Sequence, residues 1–399
     1  MLGVTTMRSY EATHAFLDFS LDIRRFSPSL WMMLGEASSK WDHIAGAPLE
    51  PQEAANLHRL YLAKGAAATT AIEGNTLSEE EVIELLEGRA TLPPSQNYLR
   101  NEVQNIVNAF DWMIEKLGSG ADGRIDSAFL QELNRLVLKD LPLDADVVPG
   151  EFRQVIVGAG TYKCPAPEDC DFLIQKYSES LNNFPTDLLN PRAYAIIKAI
   201  FAHIYFVWVH PFRDGNGRTA RLIEAYILLS ANCPTPVAHL LSNYFNRTRS
   251  VYYQKLDEAR LGGQGPVPFI EYAVTGLVEG LREQIQRIRN YQWEVSWVNY
   301  VHKFFHDSDG QASKRRRQLV LCMPKEGIPI TTRLKNLPAE IRLLYGDKSN
   351  MTYSRDIHFL EQAELICQSE GKYHAARQRI LAFLPWRKDF EETVALAAE

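Results

Sequence analysis

Apolar residues recur at helical spacing along most of the chain, with polar residues between them. This spacing predicts amphipathic helices over residues 57–71, 78–86, 98–117 and 127–138. Segment 191–209 begins with proline and is hydrophobic on almost every side, which predicts a helix in the centre of a core. Its most apolar part, 199–209, is shorter than the ~20 residues that a membrane span needs. We therefore expect a mainly α fold without a membrane partner.

One segment departs from the helical pattern. Residues 150–158 (GEFRQVIVG) place valine and isoleucine at a shorter spacing, and prolines follow at positions 165 and 167. Branched residues bounded by glycine and proline are typical of short strands and turns. The segment therefore predicts a small hairpin or flap on the helical fold.

The composition changes after the polar, turn-rich stretch 306–312. Residues 311–399 hold 15 Lys/Arg and 11 Asp/Glu, a net of +4, whereas the whole chain is −6, so the remainder is −10. Such asymmetry indicates a separate unit with its own partner preference. We divide the chain into an N-terminal helical region (1–95), a core (96–305) and a C-terminal domain (311–399).

The C-terminal domain has the pattern of a small winged helix. An amphipathic helix with Thr352 as its cap is predicted over residues 352–365, followed by two short strands around a Ser-Glu-Gly turn. Two roles stay open: contact with another protein or a second copy of the chain, and DNA binding. The DNA residues would be Arg355, His358, Lys372, Arg377 and Arg379. The modest net charge favours protein contact, and the basic run 314–317 is interpreted as a solvated helix face.

The five cysteines are few, and no two of them form a C-x-x-C pair. This usage is typical of reduced thiols in the cytosol. The first residues show no basic-then-apolar signal pattern. We expect a cytoplasmic protein.

The most informative stretch is 210–221, HPFRDGNGRTAR, a loop between two predicted helices. Gly215 and Gly217 allow a ligand to approach the main chain. The next helix is predicted to begin near Arg218, and the free N–H groups of a helix start favour an anion. Arg218 and Arg221 share one face of its first turn, and guanidinium groups suit phosphate oxygens.

The same loop carries an acid and a base. Asp214 places a carboxylate beside the arginines, which would suit a Mg²⁺ ion bridging phosphates. His210 can be neutral at cellular pH and could take a proton from an attacking hydroxyl. Phe212 is interpreted as an anchor in the core. Each residue alone is more often structural, but together they favour phosphate chemistry.

This loop resembles the Fic signature, H-x-F-x-[DE]-G-N-G-R-x-x-R, with every fixed position filled. The resemblance implies an all-helical core with a β-hairpin flap. It implies transfer of AMP from Mg·ATP to a serine, threonine or tyrosine hydroxyl of a protein, including self-modification. It also implies site roles: His210 as general base, Asp214 as metal ligand, Asn216 with the loop amides at the α-phosphate, and Arg218 and Arg221 at the outer phosphates.

Two further stretches resemble the same family. Residues 150–153 are similar to the segment that leads into the flap, which aligns a target chain as an added strand. Residues 252–256 (YYQKL) are similar to the helix beside the adenine site, which would place Tyr252 and Tyr253 near the base. An ordinary core role for these tyrosines stays open, and Arg260 stands where some relatives have asparagine.

Upstream, residues 69–75 (TTAIEGN) resemble the family's inhibitory motif, [ST]-x-x-x-E-[GN]. Thr69 and Glu73 are four residues apart, so both can face one side of a helix end, and Gly74 suits a C-cap. The resemblance implies that Glu73 pairs with Arg221 and prevents it from orienting the γ-phosphate. Some relatives use this glutamate to remove AMP, and the sequence leaves that open.

These observations predict an autoinhibited AMP transferase that uses ATP and Mg²⁺. The alternative is a winged-helix DNA-binding regulator with a vestigial nucleotide pocket. The intact loop favours the enzyme. The sequence leaves open the target protein, UMP in place of AMP, and a homodimer.

Overall fold

The computed structural model describes residues 8–381 apart from 121–122, 161, 186–189, 309, 332 and 347. The chain divides into two compact units at Gln286/Arg287. The three-part division drawn from the sequence stays a prediction.

The described part of the first unit is almost entirely helical, which confirms the predicted fold class. Its helices are α1 (Ser9–Thr13), α2 (Pro28–Ala45), α3 (Pro51–Ala71), α4 (Glu79–Leu86), α5 (Asn97–Gly118), α6 (Ser127–Val137), α7 (Cys170–Asn182), α8 (Pro191–Val209), α9 (Asn216–Ser230), α10 (Thr235–Ala238), α11 (Leu240–Arg247) and α12 (Arg249–Leu261). Two-residue strands β1 (Gly158–Ala159) and β2 (Tyr162–Lys163) lie between α6 and α7 and pair antiparallel. Helix α13 (Val267–Phe304) contains the division between the units.

Helix α8 forms the centre of the first core, as its apolar pattern predicts. Asn190 caps it by accepting a hydrogen bond from the backbone N–H of Ala193, and Pro191 occupies its first turn. By length and composition α8 could cross a membrane, yet 72% of an 18-residue stretch of this helix is buried inside the fold. Helix α9 packs against α8 and also against α3, α5 and α6. The loop between α8 and α9 is therefore held on several sides.

The predicted flap lies a little later than its sequence pattern suggested. Residues 150–157 form turns and bends with a single bridge between Phe152 and Phe212, and the paired strands lie at 158–159 and 162–163. The branched residues at 155–157 precede the first strand of the hairpin and are not part of it.

The described part of the second unit continues with α14 (Gln311–Leu321), β3 (Ile328–Pro329), α15 (Ala339–Tyr345), α16 (Asn350–Gln362), β4 (Ile366–Ser369) and β5 (Lys372–Ala375). The strands form one antiparallel sheet in the order β3-β5-β4. The predicted two-stranded wing therefore gains a third strand. Helix α16 starts two residues before Thr352, so that threonine is not its cap.

The basic run 314–317 is not a fully solvated face, as the sequence had suggested. Nε of Arg315 and Nε of Arg316 each donate to the carboxylate of Asp356, at 2.6 and 2.7 Å. The hydroxyl of Tyr345 donates to the same carboxylate at 3.2 Å. A buried aspartate forty residues away in sequence therefore draws two of the four basic side chains inward.

Candidate active site

The loop between α8 and α9 is shaped by two residues with left-handed backbone conformations. His210 ends α8 with φ 50° and ψ 59°, and Gly215 precedes α9 with φ 77°. A Cβ on Gly215 would also lie 2.9 Å from Nδ2 of Asn134, so the position requires glycine in two respects. The first N–H groups of α9 follow directly, and helix starts of this kind favour anions.

The side chain of Asn216 closes the loop on itself. Its Oδ1 accepts from the backbone N–H of Phe212 at 2.9 Å, and its Nδ2 donates to the carbonyl of Phe212 at 2.8 Å. Phe212 is buried, as predicted for an anchor. With both ends of its amide engaged, Asn216 can serve an anion by setting the loop's shape. Its predicted phosphate contact stays a prediction.

The pKa of His210 is shifted in the direction that a general base needs. Burial lowers the pKa of its imidazole below 6.5, although a hydrogen bond to the carbonyl of Val207 opposes the shift. Nδ1 lies 3.2 Å from that carbonyl oxygen. We assign the proton of the neutral ring to Nδ1 because a carbonyl can only accept. The lone pair of Nε2 is then available for a proton.

Glu73 and Arg221 form an ion pair on the wall of the site. Oε1 of Glu73 lies 2.6 Å from Nη2 of Arg221, which also donates to the backbone carbonyl of Thr69 at 2.9 Å. Burial is the largest single influence and would raise the pKa of Glu73. The charge and hydrogen bond of Arg221, with smaller contributions from Arg218 and His210, together outweigh burial, and the pKa is lowered. Nε and Nη1 of Arg221 are buried with no hydrogen-bond partner among the described residues. Those two donors fit an anionic ligand.

The segment that carries Glu73 differs in detail from the helix end predicted. Helix α3 ends at Ala71 with Ile72 as C-cap, and Gly74 follows two residues later with φ 107°. The carboxylate reaches over Gly217, where a Cβ would lie 2.2 Å from Oε1 of Glu73. Glycine at 217 is therefore what allows the glutamate so close to the start of α9.

Arg218 is held by two carboxylates. Its Nη1 lies 3.2 Å from Oε1 of Glu102 on α5, and its Nη2 lies 3.2 Å from Oδ1 of Asp214. Oδ1 of Asp214 also accepts from the N–H of Gly215, and the Asp214 side chain is 47% exposed. Asp214 therefore remains accessible. Glu102 was missed from the sequence because it lies 116 residues before its partner, on the polar side of a helix.

Two further buried residues brace the loop. Nδ2 of Asn134 donates to the carbonyl of Asp214, and its Oδ1 accepts from the N–H of Gly150, both at 2.9 Å. Arg153 donates from Nε to the carbonyl of His210 at 2.8 Å. Arg153 lay in the stretch resembling the flap segment. In the sequence, the one sign of a buried role for Asn134 is that its amide lies among the apolar positions of α6.

A cavity of about 490 Å³ opens beside these residues. It is lined by residues of α8, α9 and the loop between them, the Glu73 segment, the hairpin and α12: Glu73, Gly160, Tyr162, Val207, Trp208, His210, Gly217, Arg249, Tyr252, Tyr253, Leu256, Asp257 and Arg260. This volume lies within the range of small-molecule sites. The structure thus brings the predicted base, the Glu73 segment and both tyrosines to one cavity.

The two tyrosines differ in their surroundings. Tyr252 is buried, and its hydroxyl lies 3.0 Å from Nε2 of His203, whose Nδ1 lies 3.0 Å from the buried Glu224. Tyr253 is 45% exposed. The guanidinium of Arg260 stacks 4.8 Å over the ring of Tyr162 in the hairpin. Tyr252 thus serves the core and the cavity together.

No group of three or more His, Cys, Asp or Glu side chains suited to a metal ion occurs among the described residues. Mg²⁺ in nucleotide sites is usually held by one or two carboxylates together with the phosphates. The carboxylate of Asp214, 47% exposed, fits that mode.

Comparisons with known proteins agree on one family. The model of the Fic/DOC family matches residues 124–228. Protein adenylyltransferase fic-1 of Caenorhabditis briggsae is 33% identical over 205 residues, 51% of this chain and 37% of that protein. Protein adenylyltransferase Fic of Drosophila melanogaster is 31% identical over 203 residues, 50% of this chain and 37% of that protein. The chain therefore spans less than half the length of these relatives.

Solved structures give the same result for the fold. Fic-1 of C. elegans superposes with a TM-score of 0.52 and 26% identity, covering 66% of this chain and 74% of that one. A Fic family protein of Desulfovibrio desulfuricans G20 superposes with a TM-score of 0.55 and 19% identity, covering 89% and 98%. At that identity the second likeness concerns the fold alone.

Proposed function

Because the chain belongs to the Fic/DOC family, whose model matches residues 124–228, we propose that it is a protein adenylyltransferase. It would move AMP from Mg·ATP to a hydroxyl side chain of a target protein or of itself. The observation that carries the proposal is a cavity lined by His210, by Gly217 in the first turn of α9 and by Glu73. Glu73 pairs there with the buried Arg221, two of whose donors have no partner among the described residues.

His210 acts as the general base in this mechanism. Nε2 takes the proton of the acceptor hydroxyl while the hydroxyl oxygen forms a bond to the α-phosphorus. The bond between the α-phosphorus and the oxygen that bridges it to the β-phosphorus breaks. Pyrophosphate leaves. The proton on Nδ1 continues to be donated to the carbonyl of Val207, and this hydrogen bond fixes the ring's orientation. A positioned base of this kind contributes roughly 10²–10⁴-fold to rate.

The remaining residues of the site bind and orient. Arg221 and Arg218, with the N–H groups at the start of α9, would hold the phosphates. Asp214 would hold Mg²⁺, which neutralises charge on the phosphates when bound. Tyr252 and Tyr253 would lie near the adenine ring.

Autoinhibition by Glu73 follows from the same geometry. The carboxylate occupies Nη2 of Arg221 and lies against Gly217, where a triphosphate would need to pack. A ligand that shifts a site from 1:99 to 99:1 needs about 5.5 kcal/mol of differential binding. Breaking a fully buried ion pair costs about 3–5 kcal/mol, and the partial exposure of Glu73 places this pair below that range. The pair would therefore lower the activity of the resting enzyme without abolishing it.

Intact-mass measurement after incubation with Mg·ATP tests the proposal. The Glu73→Gly variant should gain the mass of AMP much faster than the wild-type chain. The double variant Glu73→Gly, His210→Ala should gain none. An unmodified Glu73→Gly chain, with folding checked by circular dichroism and a known Fic target also left unmodified, would refute the transferase. Parallel reactions with UTP identify the donor.

The second unit is proposed to be a winged-helix-like module for protein contact. Its order of helices and strands, with the β3-β5-β4 sheet, supports that fold. The inward pairing of Arg315 and Arg316 with Asp356 reduces the positive charge that a DNA duplex would meet. Duplex affinity that falls steeply with salt would contradict the protein-contact role.

A further inference from the structure

Glu102 on α5 uses its two carboxylate oxygens on two different parts of the site. Oε1 lies 3.2 Å from Nη1 of Arg218. Oε2 accepts a hydrogen bond from Nδ2 of Asn75 at 2.8 Å. Asn75 follows Glu73 by two residues. A single side chain therefore joins the first arginine of the loop to the segment that carries the paired glutamate.

The Asn75 end of this link is fixed in place. Asn75 is buried, its Nδ2 also donates to the carbonyl of Leu99 at 3.0 Å, and its Oδ1 accepts from the N–H of Leu77 at 3.1 Å. A backbone N–H can only donate and a carbonyl can only accept, so the amide's donor must face Glu102. The 73–75 segment is thereby attached to α5 independently of Arg221.

The Arg218 end is held between two charges. The Arg218 side chain is 7% exposed and that of Glu102 is 19% exposed, so solvent screens the pair weakly. The other terminal nitrogen of Arg218 contacts Asp214. Without Glu102, Asp214 would be the remaining carboxylate among these contacts, and it would compete with the phosphates and the metal for that arginine.

We propose that Glu102 is a positioning residue for AMP transfer, an inference that rests on the proposed function. Its carboxylate holds the guanidinium of Arg218 in the orientation that phosphate binding requires and keeps it from collapsing onto Asp214. Through Asn75 it also keeps Arg218 and the Glu73 segment in a fixed relation. Displacement of a positioning group by about 1 Å can lower a rate on the order of 10²-fold.

The test uses the Glu73→Gly chain as parent, because its transfer is not held back by the ion pair with Arg221. Glu102→Gln in that parent should lower kcat for self-modification at least about tenfold, with a smaller change in KM for ATP. Glu102→Asp keeps the charge and should recover part of the loss. Glu115→Gln, an exposed glutamate on the same helix, is the matched control and should match the parent.

Each outcome decides between the inference and its alternatives. An unchanged kcat in Glu102→Gln overturns the positioning role. A loss of kcat that follows a fall in the thermal unfolding midpoint also overturns it. The role is likewise overturned if Glu102→Asp, which keeps the charge, loses as much kcat as Glu102→Gln. If Glu102→Gln does not fold, partial activity of Glu102→Asp with an unchanged midpoint supports the inference, and full activity overturns it. Failure of the Glu73→Gly parent to transfer AMP would instead count against the proposed function.

Discussion

Buried arginine–carboxylate contacts occur in both units of the chain, and they differ in what surrounds them. In the second unit, Asp356 is 1% exposed and accepts from Arg315, Arg316 and Tyr345. In the first unit, Glu73 pairs with Arg221, and its side chain is 32% exposed. In each set one partner of the ion pair is buried: Asp356 in the second unit and Arg221 in the first. They differ in whether a ligand could replace one of the partners.

The aspartate of the second unit has three protein donors and almost no surface. Removing it would leave two guanidinium groups without their common partner, so this cluster holds the fold together. Glu73 instead lines a cavity, at the end of a helix, beside an arginine with two unpartnered donors. The same chemistry would therefore block a site in the first unit, as proposed, and stabilise a core in the second.

The largest effect should come from the second unit. Asp356→Asn should lower the free energy of unfolding of that unit by about 3–5 kcal/mol, because both arginines lose a buried counter-charge. Faster hydrogen exchange in α14 and α16 would measure this locally. When Asp356→Asn is introduced into the Glu73→Gly parent, AMP transfer should persist under conditions where the second unit stays folded.

The control for this variant is Glu326→Gln, an exposed charge removed from the same unit. It should leave hydrogen exchange unchanged. Wild-type exchange in Asp356→Asn would mean that the cluster adds nothing to stability, and the contrast with the Glu73 pair would fail.

The sequence allowed a fuller prediction of the candidate site in the first unit than of the Asp356 cluster in the second. Residues 210–221 are contiguous, and Glu73 belongs to a short motif, so their partnership could be predicted without knowing the fold. Helix α8 could be predicted to the residue because its proline, cap and apolar run are all local.

Long-range polar pairs could not be predicted in this way. The partner of Arg315 is 41 residues away and that of Arg218 is 116 residues away. Neither pairing leaves a local pattern, because it depends on how two helices pack. Arg315 and Arg316 were therefore interpreted wrongly as solvated, and Glu102 was not found.

A smaller effect is expected when the Glu73 contact is weakened and its shape is kept. Glu73→Gln retains an acceptor for Arg221 but loses the negative charge. A hydrogen bond to a charged group is worth about 1.5–3 kcal/mol, so release should be partial, on the order of tenfold above wild type. Self-modification should rank Glu73→Gly, then Glu73→Gln, then wild type.

Glu80→Gln removes an exposed charge from α4 and is the matched control for that series. Its rate of self-modification should equal that of the wild type. A Glu73→Gln rate no higher than this control would show that the side chain blocks the site by its bulk, and the ion pair would lose its proposed role.

The smallest effect concerns pH, where the Glu73 pair should behave as a fixed contact. The lowered pKa of Glu73 means that its contribution is present above the unfolded-state pKa and is lost only as pH falls through the lower folded value. Burial lowers the pKa of His210, so its imidazole stays neutral to a lower pH than that of an ordinary histidine. Between about pH 6.5 and pH 8, a range in which ordinary histidines titrate, the ratio of Glu73→Gly to wild-type kcat/KM should stay constant. Activation of the wild type at the acidic end would mean that Glu73 becomes protonated there, and the pair would then be a pH-sensitive switch.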